Sequence, residues 1–582
     1  LVLLGLALVL GAWLAWRFGF GMPARVSRAV SLAQAGEPQK ALQRLNELVA
    51  ADPGHPLALD GLGLALNRSE QPADAQDAYE RSRDAGLGAK HAELHVAEGR
   101  AALARGAWEG AAVEFEHAAA LDKRSAKAIA GQASVALVRG QVAQARELYK
   151  SALLLEPGLK EARDGEAKTS EALERGNLYY MFDRNGEPLA RQALSAEGLG
   201  ERTYPQAQLA SHVVGFHSRR EGAGGLERDL AGLFPGAEVE LTLDLRMQQA
   251  ASKAMGWRKG ALVAINPATG EILAALSQPA FRPSQVDREW YNIRANRNRP
   301  LLNRAFDGLY EPGSINKIIT AAAALEARVD MAKIFPFSPP TAIYIEGKLF
   351  RDWADHGRVR SLKEAMDVSS NIAMHRVGQA LGPDALQRMH ARFGYNKPVD
   401  LSFSLDNGRR FEPQAATPRA AQHPDTAYAL AERACGLGTD LRVSPLHAAR
   451  MAGVVATKGK LMKPRLVRAV RSLSGESLYT MKPELEETVY DEALGERVMQ
   501  LMEDAVEGER GIGRRARVEG FRVAGKTGTS RTNRRGQLDA WFIAYAPADK
   551  PRIAVAVFCD QEGTGMHIAA PIAGAFLREV LR

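Results

Sequence analysis

Three short stretches of this chain hold side chains of the kind that make a serine attack a carbonyl. The first is Glu311-Pro312-Gly313-Ser314-Ile315-Asn316-Lys317-Ile318-Ile319-Thr320. A serine hydroxyl is a weak nucleophile until a base removes its proton. A lysine becomes that base once its pKa, ~10.4 in water, is lowered by burial or by a second cation. Ser314 and Lys317 stand three positions apart, which on a helix puts them on one face. The second stretch is Asp367-Val368-Ser369-Ser370-Asn371, where Ser369 and Asn371 are short polar groups able to project into a cleft. The third is Lys526-Thr527-Gly528-Thr529. Singly, each has a plain structural reading: a helix cap with a surface lysine, a polar turn, a chance triplet.

The elements around them decide whether they can meet. Pro312 and Gly313 disfavour a helix arriving from upstream, and the run from Ile315 to Ala327 is a strong helix former. Ser314 therefore falls at a helix N-terminus, where free N–H groups and the dipole favour developing negative charge. Leu362–Val368 and Ile372–Leu381 read as helices, which puts Ser369 and Asn371 at their junction. Val523–Ser530 reads as a strand in which Gly528 admits another backbone. The apolar runs 540–546 and 553–559, separated by Pro547-Ala548-Asp549-Lys550-Pro551, continue it as an antiparallel meander. Strands at 260–277 and 523–559 are expected in one sheet, with helices 241–256 and 568–581 on it. The segment between is expected to be mostly helical, with the site in the cleft.

In this order, Ser-x-x-Lys, Ser-x-Asn and Lys-Thr-Gly form the set found in penicillin-binding proteins and serine β-lactamases. Glu311 to Lys317 resembles the nucleophile motif of class B penicillin-binding proteins. So do the paired strands of Gly260 to Ala274 and the run Ala540-Trp541-Phe542-Ile543-Ala544-Tyr545-Ala546-Pro547. The resemblance covers roughly residues 178 to 582. It implies a D,D-transpeptidase that cross-links peptidoglycan stem peptides through an acyl-serine and is captured by β-lactams. By that resemblance Ser314 is the nucleophile and Lys317 the base. Ser369 relays a proton to the leaving amine, and Asn371 binds the substrate amide or orients Lys317. Lys526 supplies a cation, the Thr527 and Thr529 hydroxyls around Gly528 hold the substrate carboxylate, and the N–H groups of Ser314 and Thr529 form the oxyanion hole. No metal or cofactor is expected. Competing readings are a D,D-carboxypeptidase or a β-lactamase of the same fold, or a repeat scaffold with a vestigial enzyme domain. Arginines crowd both sides of the triplet (Arg510, Arg514, Arg515, Arg517, Arg522, Arg531, Arg534 and Arg535), so a cationic cleft that concentrates carboxylate-rich peptide is a further expectation.

Upstream the chain has no chemistry of this kind. Leu1 to Trp16 is wholly apolar and, at ~1.5 Å per residue, shorter than a bilayer core. It reads as the tail of a transmembrane anchor, residues 1–18, whose beginning lies further upstream. Residues 27–175 are rich in Ala, Leu, Arg and Glu with helical periodicity. Ala41/Leu45, Ala75/Tyr79, Ala111/Phe115 and Ala145/Tyr149 recur at intervals of 34, 36 and 34 residues, with Gly36, Gly106 and Gly140 in phase. This resembles the tetratricopeptide repeat, a stacked helix–turn–helix unit that usually offers a concave surface to a partner peptide. Residues 178–236 resemble the pedestal of class B proteins, opening on a strand, an Asn185-Gly186 turn and a second strand.

The whole is expected to be multidomain: membrane anchor, all-α tetratricopeptide-like solenoid, small α+β pedestal, and an α/β transpeptidase domain of antiparallel sheet plus helical lobe at 237–582. That arrangement implies a single-pass protein of the cell inner membrane with its catalytic domain outside the cytoplasm. A protein partner on the repeats is expected, a cell-wall polymerase being one candidate. The formal charge of +8 is mild for 582 residues and no nucleic-acid module accompanies it, so nucleic acid is not an expected partner. Cys435 and Cys559 sit in no metal or redox spacing and read as packed thiols.

Overall fold

A computed structural model describes residues 22–582 except 35–36, 68, 70–71, 87–88, 106, 139–141, 175–178, 195–199, 219, 231–232, 234–236, 336–337, 422–423, 425, 473–474 and 532–535. The apolar segment Leu1 to Trp16, the phased Gly36, Gly106 and Gly140, and Arg534 and Arg535 lie outside the described residues. Among the described residues no helix is long and apolar enough to cross a membrane. The chain divides into two compact units, one formed by the helical N-terminal region, the other by residues 179–233, 237–471 and 477–582.

The first unit is a run of helices: α1 (Met22–Gln34), α2 (Pro38–Ala51), α3 (Pro56–Asn67), α4 (Pro72–Asp84), α5 (Ala89–Ala104), α6 (Trp108–Leu121), α7 (Ala126–Val138), α8 (Val142–Leu155) and α9 (Lys160–Glu174). Within each of the pairs α1–α2, α3–α4, α5–α6 and α7–α8 the two helices pack together, and α1 meets α3, α5 meets α7 and α7 meets α9. All four Ala/aromatic-or-Leu pairs read from the sequence are buried. A Cβ on Gly63 would lie 2.4 Å from the Tyr79 ring, and one on Gly99 2.8 Å from the Phe115 ring. Glycine there lets each aromatic lie flat on the neighbouring helix.

The second unit holds two main sheets. The strands of these two sheets, in chain order, are β1 (Tyr180–Phe182), β2 (Pro188–Leu194), β3 (Gly200–Thr203), β4 (Glu238–Leu241), β5 (Gly260–Ile265), β6 (Ile272–Gln278), β7 (Val467–Arg471), β8 (Ser477–Thr480), β9 (Ala524–Arg531), β10 (Leu538–Ala546) and β11 (Ile553–Cys559). The larger strands form an antiparallel sheet in the order β9-β10-β11-β5-β6. Both of its faces are covered, which is why these strands read as unbroken apolar runs rather than alternating ones. On one face Phe542, Ala544, Val555 and Val557 pack with Met255, Phe576 and Leu577 from helices Leu245–Met255 and Ala570–Val580. Helix Pro445–Ala456 packs on β5, β10 and β11.

A second, six-stranded sheet runs β8-β7-β4-β1-β2-β3, with β1 parallel to β4. Its strands β1, β2 and β3 lie within residues 178–236, while β4, β7 and β8 come from further along the chain. A local pattern cannot reveal a partner more than 200 residues away. The β1–β2 turn also differs from a paired left-handed one. Only Gly186 has positive φ, at 84°, while Asp183 Oδ1 accepts the Asn185 and Glu187 N–H groups, both at 2.8 Å.

The segment between β6 and β9 is expected from the sequence to be mostly helical, but its described helices cover well under half of it; it also carries β7 and β8, short strand pairs, and a hairpin, Ala342–Ile345 with Lys348–Arg351, turned at Glu346-Gly347. Helix Asn371–Arg392 continues beyond the expected end through a kink at Gly382.

Candidate active site

The turn that carries Ser314 is held by contacts between backbones. Gly313–Asn316 is a short 3₁₀ turn leading into helix Lys317–Glu326. Gly313 has φ 56°, and a Cβ there would lie 2.6 Å from the Thr529 carbonyl oxygen. From the other side, a Cβ on Gly436 (φ 77°) would lie 2.0 Å from the Gly313 oxygen. Asn316 sits below, fully buried, donating from Nδ2 to the Arg433 carbonyl at 3.1 Å. Its Oδ1 is 3.1 Å from His390 Nε2 and accepts from the Tyr395 hydroxyl at 3.2 Å.

Strand register explains the other wall. On β9, Lys526, Gly528 and Ser530 pair with Ile543, Trp541 and Asp539 of β10 and share one face. That face meets the serine turn. Ser530 Oγ donates to the Glu311 carbonyl at 3.0 Å, and Trp541 Nε1 donates to the same oxygen at 2.9 Å. A Cβ on Gly528 would meet Ile315 at 2.8 Å and the Pro312 oxygen at 3.0 Å, so glycine is what admits the turn. Thr527 and Thr529 alternate with Lys526 and take the other face, where Thr529 Oγ1 accepts the Gly565 N–H at 3.1 Å. They do not join the lysine cluster.

The junction at 367–371 divides its labour residue by residue. Ser370 caps helix Asn371–Arg392, its Oγ accepting the Ala373 N–H at 3.1 Å. Ser369 takes a left-handed φ of 57°, uncommon for a residue with a side chain, and is buried. This turns its carbonyl and hydroxyl toward two lysines. Lys317 Nζ donates to Ser369 O at 2.7 Å and to Asn371 Oδ1 at 2.8 Å, with Ser369 Oγ at 3.3 Å. Lys526 Nζ lies 2.8 Å from Ser369 Oγ and 3.1 Å from the Thr527 carbonyl. Lys317, Ser369, Asn371 and Lys526, scattered over two hundred residues, are thus gathered at one place, and Ser314 precedes Lys317 in the same turn.

Both lysines are essentially inaccessible to water. Burial drives the Lys317 pKa down against the pull of Cys435 and Asp352. Burial drives Lys526 down further, and the neighbouring Lys317 adds to it. The two lysines flank the Ser369 hydroxyl, and burial disfavours a charge on each. A neutral amine has two N–H donors and one lone pair. Lys317 has two close acceptors, so its lone pair remains for a proton.

Two supporting residues carry no sequence signal. Asp352, in the loop after the hairpin, accepts the Ile372 N–H at 3.1 Å, the Ser370 hydroxyl at 2.9 Å and the Asn371 N–H. It fixes the start of the helix on which Asn371 stands. Asn316, inside the nucleophile motif, ties that turn to Arg433, His390 and Tyr395. Among the described arginines of the run, Arg510 donates to the His356 and Arg358 carbonyls, Arg517 to Val506, and Arg522 pairs with Glu503 at 2.7 Å. Cys435 and Cys559 are free and buried, each thiol pushed by burial to about 12.

The family described as the penicillin binding protein transpeptidase domain matches residues 260–578. The chain is similar to the peptidoglycan D,D-transpeptidase PbpA of Mycolicibacterium smegmatis, at 31% identity over 432 residues, covering 66% of this chain and 84% of that protein. Among solved structures it resembles the penicillin G acyl-enzyme complex of penicillin-binding protein A from Mycobacterium tuberculosis. The TM-score is 0.61 at 28% identity, over 70% of this chain and 100% of that one. It also resembles the D,D-transpeptidase domain of a peptidoglycan glycosyltransferase from Eggerthella lenta, with TM-score 0.63 at 30% identity over 70% and 98% of the two chains.

Proposed function

The chain belongs to the penicillin-binding protein transpeptidase family, and on that footing we propose that it is a class B peptidoglycan D,D-transpeptidase whose acyl intermediate forms on Ser314. The observation that carries the assignment of residues is the hydrogen-bonded cluster of Lys317, Ser369, Asn371 and Lys526 beside the turn of Ser314.

In this reading Ser314 Oγ attacks the carbonyl carbon between the two terminal D-alanines of a stem peptide, and its proton passes to the Lys317 lone pair. The N–H groups of Ser314 and Thr529 receive the oxyanion, each such donor being worth about 3–4 kcal/mol. The contact between Gly313 and the Thr529 backbone supports that pairing. The C–N bond then breaks, and the leaving amine of D-alanine takes a proton through Ser369, whose hydroxyl stands between the two lysine nitrogens. An amine of a second stem peptide attacks the ester, Ser314 Oγ leaves and is reprotonated, and a new amide remains. Asn371 holds Lys317 or the substrate amide. Thr527, Gly528 and Thr529 line the substrate strand, with the threonine hydroxyls assigned to the carboxylate.

The upstream parts enter the proposal with their own support. The buried Ala/aromatic pairs and the seats of Tyr79 and Phe115 on Gly63 and Gly99 support tetratricopeptide-like repeats over 27–175, with pedestal at 178–236 and transpeptidase at 237–582. The hydropathy of Leu1 to Trp16 supports a membrane anchor at the inner membrane with the catalytic part outside the cytoplasm, and the repeats are assigned to a protein partner. Intact-protein mass spectrometry after penicillin treatment tests the core of the reading. A stable penicilloyl adduct on Ser314, absent in Ser314→Ala, is expected. No adduct refutes an active enzyme, and an adduct lost within seconds makes it a β-lactamase.

A further inference from the structure

The helical unit contains a buried polar constellation that an array of apolar helix faces does not need. Glu114 and His117 lie three apart on α6 and so project from one face, and His95 reaches them from α5. All three are buried, at 7%, 2% and 5% exposure. One ligating atom from each lies within 4.8 Å of the others. His95 Nδ1 is 2.8 Å from Glu114 Oε2, and the two imidazoles meet edge to face with centroids 5.2 Å apart. On the far side of the His95 ring, Nε2 faces Asp60 Oδ1 of α3 at 3.7 Å, too long for a hydrogen bond, and both atoms are buried.

From this geometry we propose that His95, Glu114 and His117 bind a divalent transition-metal ion of the zinc class inside the helical unit, with Asp60 orienting His95. Two imidazoles and a carboxylate are a ligand set that zinc accepts, with bonds of ~2.0–2.2 Å. Tetrahedral bonds of that length place ligand atoms ~3.4 Å apart, so His95 Nδ1 and Glu114 Oε2, now 2.8 Å apart, open by roughly half an ångström to admit the ion. A metal-bound histidine ordinarily donates its other ring N–H to a carboxylate, and Asp60 stands where that carboxylate is required. Bound across α5 and α6, with α3 behind, the ion would staple neighbouring helices of the array. Its ligands are spaced 19 and 3 residues apart, which matches no compact metal motif and explains why the sequence alone does not announce it.

The test uses the full chain, free of any histidine tag, stripped with chelator and reloaded with zinc or cobalt. Gel filtration followed by elemental analysis should find about one zinc per chain, and cobalt should give visible absorption bands of tetrahedral type. His95→Gln and His117→Gln should abolish both, while Asp60→Asn should keep the fold by circular dichroism and weaken zinc binding about 10- to 100-fold. If either glutamine variant fails to fold, Asp60→Asn decides by itself. A wild-type chain that retains no zinc, or variants that retain as much as wild type, would overturn the proposal. Penicillin acylation by Ser314 is measured in the same samples and is expected to be unchanged.

Discussion

Replacing Gly313 by alanine changes no reacting side chain but presses the serine turn against the Thr529 backbone, whose N–H is assigned to the oxyanion hole. The added Cβ would stand 2.6 Å from the Thr529 oxygen, 2.8 Å from its carbon and 3.0 Å from its nitrogen. A carbon and a carbonyl oxygen sit comfortably at ~3.3 Å or more, so the turn and β9 must separate by about 0.7 Å. Both are backbone, and no side-chain rotation relieves the contact. A displacement near 1 Å at a reacting centre costs about 100-fold. The acylation rate constant of a fluorescent penicillin should therefore fall roughly 30- to 100-fold, or about 2–2.7 kcal/mol of barrier. The left-handed φ adds strain of about 1–2 kcal/mol to folding. Gly186→Ala supplies the control. It carries the same kind of strain at φ 84° with no atom within 4 Å, so it should lose similar stability and acylate normally. Time-resolved labelling with melting curves on both variants separates the two effects. A Gly313→Ala protein that acylates within about twofold of wild type would refute the claim that this contact sets the nucleophile's position.

Lys317→Arg keeps a charge that cannot be lost, and acylation should drop about 10²- to 10⁴-fold with the fold intact by circular dichroism. In the wild type the acylation rate should rise with pH along a limb centred well below ~10.4, because burial lowers both lysines and the base works only after losing its proton. A limb near the free-lysine value would remove Lys317 from the role. Asp352→Ala strips the acceptors of the Asn371 and Ile372 N–H groups and should cost about 2–3 kcal/mol in urea unfolding, with slower acylation as Asn371 loses its footing. A chain beginning at Asn177 should fold and bind penicillin at a rate within about twofold of the full chain, since a repeat array buries its apolar faces against its own neighbours. Aggregation or much slower binding would show that the repeats shape the site.

The clustered side chains of Lys317, Ser369, Asn371 and Lys526 were legible because each proposed role demands a particular side chain in a fixed order. The central sheet was legible too, since strands buried on both faces read as unbroken apolar runs. What escaped the sequence was long-range pairing and support. Asp352 acts on a helix start 19 residues away, and nothing in Arg351-Asp352-Trp353 marks it as an anchor. The six-stranded sheet recruits β7 and β8 after more than 200 intervening residues. The dense arginine run suggested a cationic cleft, but charge along the chain says nothing of where guanidiniums point.

The clamp around Ser314 is made of main chain: Gly313 against Thr529, Gly436 against Gly313, and Gly528 against the Pro312 carbonyl. Mutation changes side chains, and at these glycines every side chain collides. Drug escape is therefore expected to avoid the clamp and to accumulate on the rim. There the hairpin and the loop after it expose Tyr344, Leu349 and Trp353, and Trp353 Nε1 donates to the Val368 carbonyl directly ahead of Ser369. An inhibitor that takes its grip from the glycine-lined backbone, and little from those aromatic edges, leaves the bacterium few substitutions by which to resist it.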